Sequence, residues 1–364
     1  MLQRFGFIVH PLEIHDITRK FSFAERVPAS WLETLMRYGP PVKVSHITGV
    51  TSPLGVEAEG WFVGCLLTPK QMLELPEPVV LAKIIDAAKK AQALGAEIVG
   101  LGAFTAVVGD AGVTVAGNVD IAVTTGNSYT VATALQGIRY AADTMGLSLD
   151  EASVAVLGAT GSIGSAAARI LARDARHMVL AARSKERLER LADIIRADNA
   201  VDVVATDSVQ EACQSADIIV AVTSAIDTIV EPEWLRPGAI VCDVARPRNV
   251  SRRVAEMRSD VLVFEGGVVQ VPGDVEFGFD FGFPAKTSYA CMAETMILAL
   301  EGRYENFTLG RDLSVAQVDE IADLADKHGF RVGGLRSFER AVTLESIMQV
   351  RENATKARQT ALYR

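Results

Sequence analysis

The run Ser153-Val-Ala-Val-Leu-Gly-Ala-Thr-Gly-Ser-Ile-Gly164 constrains this chain more than any other stretch. An apolar, β-branched strand runs into glycines at 158, 161 and 164 and then into the helix-compatible Ser165-Ala-Ala-Ala-Arg169. Dinucleotide phosphates require this order of strand, tight turn and helix. One glycine makes the turn, another lets backbone approach the pyrophosphate, and the last lets helix pack on strand. The amides at the helix start then receive the anion. Gly158, Thr160, Gly161, Ser162, Ile163 and Gly164 are therefore the candidate phosphate-binding residues. The spacing is G-x-x-G-x-x-G rather than G-x-G-x-x-G, so context has to decide.

That context is the next strand, His177 to Ala182, which ends in Arg183-Ser184-Lys185 with Arg187 close behind. An acid here would bind the ribose hydroxyls of NAD, whereas an arginine suits the 2′-phosphate of NADP. Arg183 and Ser184 thus predict NADPH; the competing reading is ordinary solvated residues at a helix start. Further strands are expected at Val201 to Ala205, Ile218 to Val222, Ile240 to Asp243 and Val261 to Phe264. Thr223 and Ser224, just past the second of these, are placed near the ribose or nicotinamide. The class is α/β, a Rossmann-type doubly wound parallel sheet plus a second α/β substrate domain.

With 364 residues, about half of them apolar, the chain is long enough for more than one domain. A net charge of -9 disfavours a general nucleic-acid binder. Charges at Lys83, Asp86, Lys89 and Lys90 interrupt the apolar stretches, and Phe5 to Val9 is too short for a secretory signal. The expectation is a cytoplasmic protein without a transmembrane segment. Cys65, Cys213, Cys242 and Cys291 lie far apart, without the spacing of a zinc site or a disulfide framework. Each is a buried thiol or a reactive one, and no metal is expected.

In the first 150 residues, strands are expected at Phe5 to Val9, Val42 to Thr51 and Glu59 to Leu67, and helices at Glu13 to Arg26 and Ala29 to Tyr38. Val79, Val80, Ile84, Ala87, Ala88, Ala91 and Leu94 form one face of a helix over Pro78 to Leu94, with Gly95 to end it. A buried strand, Glu97 to Leu101, breaks into a glycine-rich loop. A second strand from Asp120 ends in Thr124-Thr-Gly-Asn-Ser128 before a helix over Tyr129 to Met145. Thr125, Gly126, Asn127 and Ser128 bring hydroxyls, an amide and backbone N–H groups to one point and are candidates to hold a carbonyl or oxyanion. The plain alternative is that Asn127 or Ser128 caps the helix.

Beyond the nucleotide half, the alternating Phe277-Gly-Phe-Asp-Phe-Gly-Phe283 reads as a strand on an apolar surface or part of an acyl-binding wall, with core packing the reading the residues favour unaided. A helix is expected from near Lys286, capped by Thr287 or Ser288 and ending at Gly302, with Cys291 in its first turn. Helix-start amides and the dipole stabilise a thiolate there. The alternative is a small apolar side chain in a helix interface.

Leu101-Gly-Ala-Phe-Thr105, Thr125-Gly-Asn-Ser-Tyr-Thr130, Val156 to Ser165, Ala182 to Leu188, Gly266-Gly-Val-Val269, Tyr289-Ala-Cys-Met-Ala-Glu294 and Phe307-Thr-Leu-Gly-Arg311 together resemble the cyanobacterial long-chain acyl-acyl-carrier-protein reductases. The resemblance runs in order over about residues 5 to 335. It implies NADPH-dependent reduction of a fatty acyl thioester to a fatty aldehyde. Cys291 would be the nucleophile, taking the acyl group from acyl carrier protein or coenzyme A and facing the nicotinamide across the cleft. The insoluble, reactive product would suit an aldehyde-consuming partner enzyme or transient membrane contact.

The expected layout is an acyl-binding domain over 1-148, an NADPH-binding domain over 149-283 and a C-terminal segment over 284-364 that carries the nucleophile. Residues 24 to 44 and 271 to 283 depart from the family pattern and are candidates to line the acyl channel. Residues 336 to 364 run past the usual family end with six Lys or Arg against three Glu. They and the cluster Arg246, Arg248, Arg252 and Arg253 would be solvated or would touch an acidic carrier protein or another subunit. His10, His328, Lys286 and Glu294 have no assigned proton role. Two rivals are a shikimate-dehydrogenase-like keto- or hydroxy-acid dehydrogenase, which needs a lysine and aspartate pair and no thiol, and a non-catalytic NADPH-binding redox sensor.

Overall fold

The computed structural model of the protein describes residues 2–11, 27–225, 229–280, 282–338 and 340–362; the helix expected over 13–26 lies outside them. The longer helices are α1 (Ala29–Tyr38), α2 (Glu77–Ala93), α3 (Asn127–Met145), α4 (Ser162–Leu171), α5 (Lys185–Asp198), α6 (Ala290–Glu301), α7 (Val315–His328) and α8 (Leu344–Leu362). Two compact units share the chain. One holds residues 1–129, 269–312 and 320–331, the other 130–268, 313–319 and 332–364. The segment expected to run as one piece from 284 to 364 is therefore divided, its last 33 residues belonging with the nucleotide-binding residues.

The first unit is built on β1 (Gln3–Val9), β2 (Val42–Thr51), β3 (Glu57–Gly64), β4 (Ile98–Leu101), β5 (Ala122–Thr124) and β13 (Gly273–Glu276), in the order β13-β2-β3-β1-β4-β5. β3, β1, β4 and β5 run parallel, while β2 and β13 are antiparallel additions at one edge. Parallel strands are covered on both faces and need apolar side chains throughout, which is why Ile98 to Leu101 is buried at every position. On one face Val80, Ile84, Ala87, Ala88 and Ala91 of α2 pack on Ile8, Val63, Val99 and Leu101. α6 approaches β4 closely enough that a Cβ at Gly100 would fall 2.0 Å from Thr295 Oγ1 and 2.5 Å from the Phe7 ring.

The segment around 277 belongs partly to this core. Phe277 stacks on the buried Phe62 at 6.1 Å between ring centroids, and Phe62 meets Phe7 edge-on at 6.3 Å. Phe283 lies edge-on to Tyr289. Instead of a strand, Gly278 and Gly282 take positive φ and break the alternation into an irregular turn.

The second unit carries six parallel strands: β6 (Ser153–Leu157), β7 (His177–Ala181), β8 (Asp202–Thr206), β9 (Ile218–Ala221), β10 (Ile240–Asp243) and β11 (Leu262–Glu265), in the order β11-β10-β9-β6-β7-β8. This is the doubly wound Rossmann topology. The chain leaves β6 in one direction through β7 and β8 and returns on its other side through β9, so a crevice opens at the carboxyl ends of β6 and β9.

The C-terminal residues are not a solvated tail. α8 buries Ile347 and Ala354, stretches Arg351 over Gly146, and bonds Arg358 Nε to the Pro237 carbonyl at 2.9 Å and Asn353 Nδ2 to the Ser259 carbonyl at 3.0 Å, all within its own unit. The arginine cluster is likewise spent internally. Arg246 and Arg248 both pair with the buried Glu265, at 2.7 and 2.9 Å, Arg252 lies over the Phe338 ring, and Arg253 pairs with Glu231 and Glu233.

Candidate active site

At the end of β6 the chain turns through Gly158, whose φ of 86° only glycine adopts without strain. A Cβ there would lie 2.9 Å from the Val222 carbonyl oxygen and 3.0 Å from Thr223 Cγ2, and one at Gly164 would lie 2.3 Å from the Gly158 carbonyl oxygen. These two glycines let neighbouring strand and helix close on the turn. Gly161 is different: it is exposed, and its Cβ would meet within 4 Å only the Gly158 oxygen, at 3.3 Å. Its bare backbone precedes α4, which begins at Ser162, so the surface a pyrophosphate would approach is kept open. Thr160, Ser162 and Ile163 are all part-exposed beside it.

Arg183 is exposed beyond β7, and Ser184 takes the cap position of α5. Arg187, one turn into α5, reaches back to the Thr160 carbonyl at 2.6 Å and ties the helix to the glycine turn. Past β9, Thr223 is held by a residue that sequence reasoning missed. Asn249, fully buried, accepts from Thr223 N–H and Oγ1, both at 2.9 Å. Asp243 at the end of β10 anchors the same corner, accepting from Val250 N at 2.9 Å and Ala245 N at 3.1 Å; burial raises its carboxyl to about 6. Ser224 is exposed next to Thr223. The turn, Arg183 and the Thr223 corner all belong to the second unit.

In the first unit, Thr125, Gly126, Asn127, Ser128 and Cys291 come together. Thr287 to Tyr289 forms a short strand, β14 (β12 being Val268–Gln270), rather than the start of a helix, so α6 begins at Ala290 with Tyr289 as its cap and no side-chain bond. Thr287 Oγ1 donates to the Pro284 carbonyl and Ser288 Oγ to the Tyr289 carbonyl instead of capping. Cys291 is therefore the second helical residue. Gly126, with φ of 76°, is pressed against it: a Cβ there would fall 2.3 Å from Cys291 Cα and 2.4 Å from its Cβ. The loop after β5 and the thiol thus share one place, at the starts of both α3 and α6.

α3 begins at Asn127, two residues before the expected start, so neither Asn127 nor Ser128 is its cap. Thr125 Oγ1 donates to the Thr308 carbonyl at 2.9 Å, and Ser128 Oγ donates to Glu294 at 2.6 Å. Thr125, Gly126 and Ser128 are buried, whereas Asn127 and Cys291 are part-exposed. Cys65, Cys213 and Cys242 are buried, and burial raises all three thiols, the first two to about 12. A thiol so raised holds almost no thiolate near neutrality.

The remaining sequence candidates are engaged with other protein groups. His10 Nε2 accepts from Phe104 N–H at 3.2 Å and Nδ1 faces the Pro11 carbonyl at 3.1 Å, which fixes one neutral tautomer. His328 is buried between Ser52 and Glu301, at 3.0 and 2.7 Å. Lys286 pairs at 2.7 Å with Asp274, whose side chain is 98% exposed. Among the described residues there is no cluster of three or more His, Cys, Asp or Glu fit for a metal, and no helix is long and apolar enough to cross a membrane.

Comparisons with known proteins place these features. The family model for shikimate / quinate 5-dehydrogenase matches residues 139–265. Over 352 residues, 90% of this chain and 98% of the relative, the chain is 28% identical to the long-chain acyl-[acyl-carrier-protein] reductase of Synechococcus elongatus. It is 29% identical over 360 residues to the aminotransferase PigE of a Serratia species, matching 96% of this chain but 42% of that one, so it spans less than half of that relative. Among solved structures, an L-tryptophan dehydrogenase from Nostoc punctiforme aligns with 98% of this chain and 89% of its own at 12% identity and a TM-score of 0.42.

Proposed function

We infer that this chain, an NAD(P)-dependent oxidoreductase related along nearly its whole length to a long-chain acyl-[acyl-carrier-protein] reductase, uses NADPH to reduce a long-chain fatty acyl thioester to the fatty aldehyde through Cys291. The observation that carries this reading is the meeting of Cys291 with the Gly126 loop at the starts of two helices. The Cys291 thiolate attacks the thioester carbonyl carbon and expels the donor's thiol, so one thioester replaces another at little cost in free energy. Partial positive charge at the two helix starts faces the oxygen that becomes negative in that step. Asn127 is the part-exposed side chain placed to meet the carbonyl, since the Thr125 and Ser128 hydroxyls are committed inward.

NADPH, when bound, supplies the hydride that converts the acyl carbon to the aldehyde level. Gly158, Gly161 and Gly164 with Thr160, Ser162 and Ile163 would hold its pyrophosphate, Arg183 and Ser184 its 2′-phosphate, and the Thr223-Ser224 corner its ribose or nicotinamide. Cys291 then leaves as thiolate and the aldehyde is released. The donor is acyl carrier protein or coenzyme A, which present the same thioester.

The test is aldehyde formation from a long-chain acyl-coenzyme A and NADPH. Cys291→Ala should lose about a thousandfold or more of the rate while binding NADPH as before. Full activity of that variant would overturn the reading in favour of a thiol-independent dehydrogenase.

A further inference from the structure

Glu294 lies one turn beyond Cys291 on α6 and is completely buried, the one charged residue between Tyr289 and Leu300. A carboxylate in such a place is costly unless its oxygens are satisfied. Here four donors converge on it. Oε1 accepts from Thr124 Oγ1 at 2.5 Å and Thr308 Oγ1 at 2.9 Å; Oε2 accepts from Ser128 Oγ at 2.6 Å and from the Tyr129 backbone N–H at 2.9 Å. That last bond caps the first turn of α3 with a side chain from α6. Thr308 closes the ring from the other side, its carbonyl accepting from Thr125 N–H at 3.0 Å and Thr125 Oγ1 at 2.9 Å.

Three chain segments, 124–129, 291–294 and 307–308, are thus fixed to one another through a single carboxylate. Nothing else in the network needs a charge, since a neutral side chain of the same size would fill the space. What the charge provides is acceptance from all four donors at once, which no amide can offer. We propose that Glu294 is a positioning residue for acyl transfer, holding the Thr125 to Ser128 loop in register with Cys291 so that the reacting carbonyl oxygen meets the helix-start amides. The proposal rests on the acyl-transfer reading above. It assigns Glu294 no proton transfer and no contact with substrate.

Two readouts separate positioning from mere folding. In Glu294→Gln one oxygen becomes an NH2 that cannot accept; kept off the Tyr129 N–H it faces the Thr124 and Thr308 hydroxyls, which must turn to accept, and the bonds that fix the loop are rearranged. Single-turnover acylation of Cys291 by a long-chain acyl-coenzyme A, followed by intact-protein mass, should slow about ten- to a hundredfold with the half-saturating donor concentration little changed. The same substitution removes a negative charge one turn from the sulfur. The pH at which iodoacetamide alkylates Cys291 at half its maximal rate should therefore move down. Slower acylation together with alkylation at lower pH supports the proposal. Wild-type acylation and an unmoved alkylation profile, with only a lower melting temperature, would overturn it.

If Glu294→Gln does not fold, Ser128→Ala and Thr308→Val each remove one donor and keep the carboxylate. A several-fold loss of acylation rate in either supports the proposal, and wild-type rates in both overturn it. Should the wild-type protein take no acyl group at all, the acyl-transfer reading fails. The iodoacetamide profiles still judge Glu294, an unmoved midpoint overturning its role beside the thiol and a lowered one supporting it.

Discussion

At the scale of single residues, Gly158, Gly126 and Cys291 set the geometry of the two loops. A turn needs positive φ wherever it sits, and a helix start affects a thiol whatever the fold. Glu294 acts through Thr124, Ser128 and Tyr129, more than a hundred residues away, as well as Thr308, and Asn249 through Thr223, more than twenty residues away, so spacing could not reveal them. One signal for Glu294 was available: a lone carboxylate in an apolar helix must find donors. Asp243 carries a prediction at this scale. Its folded carboxyl is raised to about 6 from the ordinary 3.8. The native state therefore binds more protons than the unfolded chain between those values. This group's favourable contribution is complete below 3.8 and is lost as pH rises through about 6. Asp243→Asn should remove that component, flattening the rise in stability from pH 7 down to 4 in urea titrations; an unchanged slope would contradict the assignment.

At the scale of elements, strands were legible where both faces are buried, since continuous apolar runs have few other uses, and Ile240 to Asp243 matches its expected bounds; the half-exposed Val42 to Thr51 was legible by its β-branched residues between turn signals. The start of α6 was not, because Thr287 and Ser288 are good caps by composition and only strand formation takes them out of the helix. The C-terminal helix was misjudged for a similar reason. Its buried contacts are small or are made by arginine stems, as at Ala354 and Arg351, which composition counts as solvated surface.

Two predictions belong here. Gly126→Ala places a methyl group within 2.4 Å of Cys291 backbone and side chain at a φ of 76°, so the loop after β5 must move away from α6. Melting temperature should fall, with a loss of about 1–3 kcal/mol, and acylation should fall with it; normal values of both would show that the approach is looser. At the end of β7, Arg183→Ala should weaken NADPH binding at least about tenfold and leave NADH binding nearly unchanged, read by nucleotide fluorescence titration. Equal losses for both nucleotides would place the 2′-phosphate elsewhere.

At the scale of the whole molecule, the chain combines a six-stranded parallel sheet, wound for a dinucleotide, with a second, mixed sheet whose unit holds the thiol on α6. The Rossmann half was legible because its strand, turn and helix rhythm is local and repeated. The other half was legible only in pieces. Its sheet gathers strands from residues 3 to 276 and its part-exposed thiol comes from 291, and no periodicity in a sequence reports such a return. What joins the pieces is chemistry at one loop. Thr125-Gly-Asn-Ser128, Cys291 and Phe307-Thr308 were separate motifs in the sequence and are one neighbourhood in the fold, the loop bonded to Thr308 and packed through Gly126 on Cys291.

The most direct measurement is mass spectrometry of the protein incubated with a long-chain acyl-coenzyme A in the absence of NADPH. The account predicts one acyl mass, on the peptide that contains Cys291, discharged when NADPH is added with aldehyde appearing in equal amount. A protein that forms aldehyde while its Cys291 peptide stays unmodified at every time point would contradict it.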